Sequence, residues 1–222
     1  MDRAVLYLDT CVLLDMFRDP ARDDIRIHEH ESSMALLEAA ITGETLDVCI
    51  AEQVAREFRY NEDTVQSDAE RKLLALEQKV ERLDNLAALH GSPGKADLRH
   101  WRGLIVNCRR FAERWMQAGS ITRPSDAAEG RAARRVVANR APARKGSSSS
   151  LQDSLILETC LEHLQALRSG GGKALAVFVS SNTRDYAAED QAKIREDIER
   201  EFHSLDLRYA PNMGAARGLL GV

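Results

Sequence analysis

Hydrophobic positions along the chain follow two rhythms. Short apolar runs, too short for a helix and rich in strand formers, fall at Val5–Leu8 and Ala174–Val179; Leu46–Ile50, interrupted only by Asp47, is a third, with a weaker one at Leu207–Tyr209. Each predicts a strand. Between them, apolar residues recur at spacings of three and four. After Asp9, Leu13, Leu14 and Phe17 mark a helix with Thr10 as its cap and Pro20 as its stop. Residues 28–42 place Met34, Leu37, Ala40 and Ile41 on one helical face, closed by Gly43. A further helix is predicted from Ala51 to about Tyr60, with Val54 and Phe58 on one face. Strand, helix, strand, helix in alternation predicts a parallel sheet with crossover helices.

The middle of the chain loses the strand rhythm. Gln66–Leu89 repeats Leu73, Leu76, Val80, Leu83 and Leu86 at helical spacing, and Gly91-Ser92-Pro93-Gly94 ends it. A second helix over Ala96–Ala118 carries Trp101, Ile105, Phe111 and Trp115, and a third covers about Ser125–Ala138. No strand signal appears here and no linker brackets both ends. Residues of about 61–145 therefore read as a mostly helical, partly basic insertion within a single domain spanning 1–222. Beyond it come a basic and then serine-rich loop, a helix over Leu151–Leu167, a turn at Ser169-Gly170-Gly171-Gly172 and the strand at 174–179. A helix over Glu189–Phe202 follows, and the last dozen residues read as irregular.

Composition narrows the class. The 222 residues are 44% hydrophobic and 30% charged, which excludes wholesale disorder. No apolar run approaches the roughly 18 residues of a membrane span, and the first residues carry no secretory leader. The expectation is a cytoplasmic protein without a membrane partner. The 4 cysteines form no Cys-x-x-Cys pair, so buried free thiols are expected. The net charge of −4 conceals an asymmetry: residues 95–145 hold 13 Lys and Arg against 4 Asp and Glu. That block predicts either contact with a polyanion or solvated Arg-rich helix faces.

Four acids fall at related places on this map. Asp9 ends the first strand, and Asp185 lies just beyond the strand 174–179, where sites form in parallel sheets. Asp153 opens the helix after the serine-rich loop, and Glu57 lies on the helix after the second strand. Carboxylates gathered on one rim repel one another unless a cation sits between them, and oxygen donors suit Mg2+ or Mn2+. Such an ion can bind a phosphate oxygen and activate water.

These segments resemble the PIN domain family. The opening Leu6-Tyr7-Leu8-Asp9-Thr10-Cys11-Val12-Leu13-Leu14 is similar to that of a PIN domain, and Ile50–Phe58 resembles the second acidic segment, with Glu57 as its acid. Gln152-Asp153-Ser154-Leu155-Ile156-Leu157 resembles the third, and Val177–Tyr186, a strand ending in Ser-Asn-x-x-Asp-Tyr, the fourth. The likeness covers about 4–60 and 145–210, and the helical insert sets the chain with the longer PIN-like proteins. It implies a three-layer α/β/α sandwich around a central parallel sheet and a metal-dependent endoribonuclease. Asp9, Glu57, Asp153 and Asp185 would be catalytic and hold one or two Mg2+ or Mn2+ ions, with Thr10 and Asn182 orienting ligands or water. Hydrolysis would leave a 5′-phosphate and a 3′-hydroxyl. The implied partners are RNA, with DNA as an alternative, an antitoxin or other protein as in toxin or defence nucleases, and a second copy in a homodimer. From charge alone, Arg144, Lys145 and the insert's arginines are expected to hold the phosphate backbone.

Plainer readings stand beside these. Asp9 caps a helix, and Asp153 is a first-turn acid favoured by the helix dipole. Glu52 and Glu62 compete with Glu57, Glu158 is expected to face away from the metal, and Asp15 and Asp190 are expected in solvent. Trp101 and Trp115 fit core positions or base stacking, and His28-x-His30 lacks a third ligand. The chief alternative function is a non-catalytic PIN-like module that binds RNA or protein. An aspartyl-phosphate phosphatase built on Asp9 would want a second Asp where Cys11 stands.

Overall fold

Helices and strands alternate as the periodicity predicts. The structure, a computed structural model, describes residues 3–23, 26–143, 150–188 and 193–222. In chain order the strands are β1 (Ala4–Leu8), β2 (Leu46–Ala51), β3 (Ser120–Thr122), β4 (Ala176–Val179) and β5 (Leu207–Ala210). The helices are α1 (Thr10–Asp15), α2 (Ile27–Thr42), α3 (Glu52–Leu89), α4 (Leu104–Ala118), α5 (Asp126–Ala138), α6 (Ser150–Ser169), α7 (Thr183–Tyr186), α8 (Glu196–Ser204) and α9 (Met213–Leu220). All strand pairs are parallel, in the order β3-β2-β1-β4-β5.

That order explains the layers. The chain steps outward from β1 through β2 to β3, then returns to β4 and β5 on the other side of β1. Right-handed crossovers in opposite directions put their helices on opposite faces. Helices α2, α4 and α9 pack together, while α5 lies on α6. The Tyr7 hydroxyl meets His163 Nδ1 on α6 at 2.9 Å, so Leu6 and Leu8 face the other layer by strand alternation. Strands covered on both faces are apolar throughout: Leu6, Tyr7, Leu8, Val177, Phe178 and Val179 are all fully buried. The result is the α/β/α sandwich expected.

Several boundaries differ from the periodicity reading, each for a local reason. Helix α3 runs unbroken through the expected gap at 61–65, where no Gly or Pro interrupts it and the Asn61 amide donates to the Glu57 carbonyl one turn back. The helix expected over Ala96–Ala118 is broken by Gly103 at φ +77, leaving a 3-10 turn at Arg99–Trp101 and then α4. The insertion also contains β3, a strand too short to show alternation, paired with β2 through Cys49, Ile50 and Ala51. On α2, Met34 and Ile41 are exposed, and the buried face runs through Ser32, Ser33, Leu36 and Leu37. The Trp115 indole N–H donates to Ser33 Oγ at 3.0 Å, so this serine sits against an aromatic rather than in solvent. Leu83 and Leu86 of α3 are likewise exposed.

The C-terminal segment is more regular than its glycines suggest. Asn212 caps α9 by accepting from the Ala215 N–H at 2.8 Å. Helix α8 starts at Glu196, later than expected, and residues 189–192 of the expected helix lie outside the described residues. The cap of α1 is Asp9 and not Thr10.

A buried ion-pair network fastens the insertion to the sandwich. Arg135 on α5 is 2% exposed and donates to Glu158 of α6 at 2.5 Å and to Glu201 of α8. Arg131 also reaches Glu158 at 2.6 Å, and Arg140 reaches Glu201 at 2.7 Å. Removing one partner of a buried pair costs about 3–5 kcal/mol because the other charge stays behind. Arg135→Ala leaves Glu158 and Glu201 with one arginine each, so a loss near the lower end, about 3 kcal/mol, is expected in denaturant unfolding.

Candidate active site

The site begins where the strand order reverses. In open parallel sheets the crevice outside the strand ends opens at this switch point. Here it lies between β1 and β4, whose ends are joined by the Asp9 N–H donating to the Val179 carbonyl at 3.0 Å. The next residues on the two strands are Asp9 and Ser180.

Asp9 is almost wholly buried and fully engaged. One carboxylate oxygen accepts from the Thr10 N–H at 2.7 Å. The other accepts from the Ser180 hydroxyl at 2.5 Å and the Cys11 thiol at 3.2 Å. Burial pushes the Asp9 carboxyl above its ordinary range. The bonds from Ser180, Cys11 and Thr10 oppose that rise, and the nearby Glu57 charge adds to it. Burial and the neighbouring Asp9 drive the Cys11 thiol well above its usual value, so it stays protonated and donates.

Hydroxyls and amides carry the pattern outward. Ser180 Oγ accepts from the Asn182 N–H at 3.2 Å, and the Asn182 amide donates to Asp185 at 2.9 Å. On the other side Thr10 Oγ1 donates to Glu57 at 2.7 Å, and Gln53 donates to the second Glu57 oxygen at 3.0 Å. Asp153, buried in the first turn of α6, lends its backbone carbonyl to the Tyr186 hydroxyl at 3.3 Å. Burial raises the Tyr186 hydroxyl well above its ordinary value, with the charges of Asp9 and Asp153 adding to the effect. Asp9, Glu57, Asp153 and Asp185 thus share one rim with Thr10 and Asn182. Arg144 and Lys145 lie outside the described residues.

The competing acids have other partners. Glu52 pairs with Arg56 and Arg123, Glu62 with Arg109, and Glu158 with Arg131 and Arg135. Asp15, expected in solvent, instead accepts from the Ser181 hydroxyl at 2.6 Å and pairs with Arg18. Trp115 is core. Asp190 lies outside the described residues. The residues that pattern reading passed over are Ser180, Cys11, Gln53 and Tyr186. Ser180 carried a signal, since it is the first polar residue after an apolar strand. Gln53 carried one too, four residues before Glu57 on the same helix.

Most arginines of the basic block are committed to protein. Arg109 pairs with Glu62, Asp63 and Glu113, and Arg131, Arg135 and Arg140 belong to the buried network. Arg102, Arg110, Arg114 and Arg134 make no ion pair among the described residues.

The donor set fits a hard divalent cation in kind, being carboxylate oxygens with a protonated thiol beside them. In the side-chain conformations present, no three His, Cys, Asp or Glu side chains among the described residues lie close enough to hold an ion. Serine, threonine and asparagine stand between the carboxylates instead.

A sandwich of this topology with acidic residues at its switch point defines an α/β protein with a candidate site outside the strand ends. The PIN domain family model matches residues 6–186, and the chain belongs to that family. PIN domains are generally nucleases and typically use divalent metal ions. No curated protein and no solved structure matches the chain significantly. Among the described residues, no helix is long and apolar enough to cross a membrane.

The raised Asp9 carboxyl has a measurable sign. Its protonated form is favoured in the folded state, so the group is without penalty below its ordinary value of 3.8 and costs stability as the pH rises through and above that value. In chelator-treated protein, the stability of Asp9→Asn relative to the parent should rise from pH 3 to pH 7, read by thermal unfolding at each pH.

Proposed function

We propose that this protein is a metal-dependent endoribonuclease, hydrolysing phosphodiester bonds at the rim bearing Asp9, Glu57, Asp153 and Asp185. The observation that supports it is the linkage of Asp9 to Asp185 through Ser180 and Asn182, and of Glu57 to the same corner through Thr10. A Mg2+ or Mn2+ ion held by these carboxylates would supply Lewis-acid stabilisation of the phosphate and an activated water. The chain's own part is to present hard oxygen donors, to orient Glu57 through Thr10 and Asp185 through Asn182, and to shield Asp9 from water. Water adds across the P–O bond to leave a 5′-phosphate and a 3′-hydroxyl. The choice of RNA over DNA follows the family likeness.

One observation favours a second reading. The described carboxylates do not already gather in threes, as a protein that only binds RNA or a partner protein would leave them. Cleavage of a circular RNA, which has no ends for an exonuclease, separates the two. The nuclease should cut it with Mn2+, stop with a chelator, and lose at least about a hundredfold in rate in Asp9→Asn and Asp153→Asn, the scale set by removing one electrostatic element of a site. Mn2+ should raise the parent's melting temperature and not that of Asp9→Asn. Cleavage at full rate in both variants removes the proposed site. RNA binding with neither cleavage nor a Mn2+ shift selects the binding module.

A further inference from the structure

A groove of about 1010 Å3 opens beside the short helix that carries Asp185. Thr183 and Arg184 form one wall, and Arg140, Arg195 and Arg200 continue it. We propose that this groove holds the phosphodiester backbone of a single nucleic-acid strand where it leaves the acidic rim. The proposal rests on the nuclease reading only for the direction of the strand.

The groove is fixed to the site. The Arg195 N–H donates to the Tyr186 carbonyl at 2.8 Å, and the backbones at Ala187 and Ile194 bridge, so the start of α8 is tied directly behind Asp185. The acids that also line it are Glu196, Asp197 and Glu201. Two of them already hold partners, and Glu196 makes no ion pair among the described residues. Glu201 is shared by Arg135 and Arg140, and Asp197 accepts the Ala141 N–H at 2.6 Å. Arg195 and Arg200 make no ion pair with any described residue, and Arg200 is exposed.

The chemistry suits phosphate. Guanidinium groups present flat forks that match phosphate oxygens in pairs, and several along one groove track a repeating anion better than a single bound ion. The groove has the volume of a small-molecule pocket, enough for a few nucleotides of one strand. These arginines lie outside the 95–145 basic block except for Arg140, so the charge count along the sequence did not mark them.

The test measures binding without turnover. Labelled oligo(rU) and oligo(dT) are titrated against the full chain in chelator over a salt series. Arg195→Ala with Arg200→Ala should weaken binding at least tenfold, with unchanged melting temperature. It should also flatten the slope of log affinity against log salt by about 0.7 for each lost contact. The paired lysine variants should recover most of the slope, and Arg3→Ala, at the opposite end of β1 from Asp9, should leave both readouts as in the parent. Equal losses for the two oligonucleotides support backbone recognition shared by RNA and DNA. A loss for one alone supports the groove and names its strand. Unchanged affinity and slope for both overturn it, even if the parent cleaves RNA. A parent that binds through these arginines yet cleaves nothing keeps the groove and removes the nuclease.

Discussion

One contact organises the molecule: the buried Asp9 carboxylate accepting the Ser180 hydroxyl across the ends of β1 and β4. These two central strands diverge in connectivity at this point, so no helix can cover the gap between their ends. A charge here is costly to bury unless donors surround it. Ser180, Cys11 and the Thr10 N–H supply three, and each comes from a segment that the sheet order already brings to this place. The capping and site readings of Asp9 are therefore not alternatives. One oxygen caps α1 while the other looks toward β4.

The same logic sets the neighbouring acids. Like charges within a few ångström raise one another's pKa unless something intervenes. Thr10 stands between Asp9 and Glu57, and Ser180 with Asn182 stands between Asp9 and Asp185. Neutral donors thus hold the carboxylates on one rim without forcing them into contact. Their placement is settled by backbone position, and the donors fix the orientations of Asp9, Glu57 and Asp185.

The central sheet was legible because its strands are buried on both faces and so read as apolar runs. Asp9, Asp153 and Asp185 were legible because each follows a strand or opens a helix, and Glu57 because its helix follows β2. Local signals failed where tertiary contacts decide. Three residues of β3 cannot show a period, and Ser33 looks solvated until Trp115 is placed over it. Asp15 is expected in solvent from the sequence, whereas Ser181 reaches it because β4 ends beside α1. Cys11 was read as an apolar thiol, and only the approach of Ser180 shows it among polar groups. Glu57 could be separated from Glu52 by helical angle, but what removes Glu52 from contention is its pairing with Arg56 and Arg123.

The basic block shows why charge counted along a chain differs from charge presented by a surface. Arg135, buried, and Arg131 and Arg140, partly exposed, pair with Glu158, Glu162 and Glu201, so the insertion's cations neutralise acids of α6 and α8. That fastens α5 along α6, and α6 carries Asp153 into the rim at its first turn. The network thereby has a steric role in holding a site helix. The network occupies Glu201 of α8, and Asp197 is held by the Ala141 N–H, so two of the acids that neighbour Arg200 in sequence are turned to α5 and the segment after it. Arg200 is exposed on the same helix and makes no ion pair among the described residues, which is how an arginine surrounded by acids along the chain keeps its charge for the solvent side.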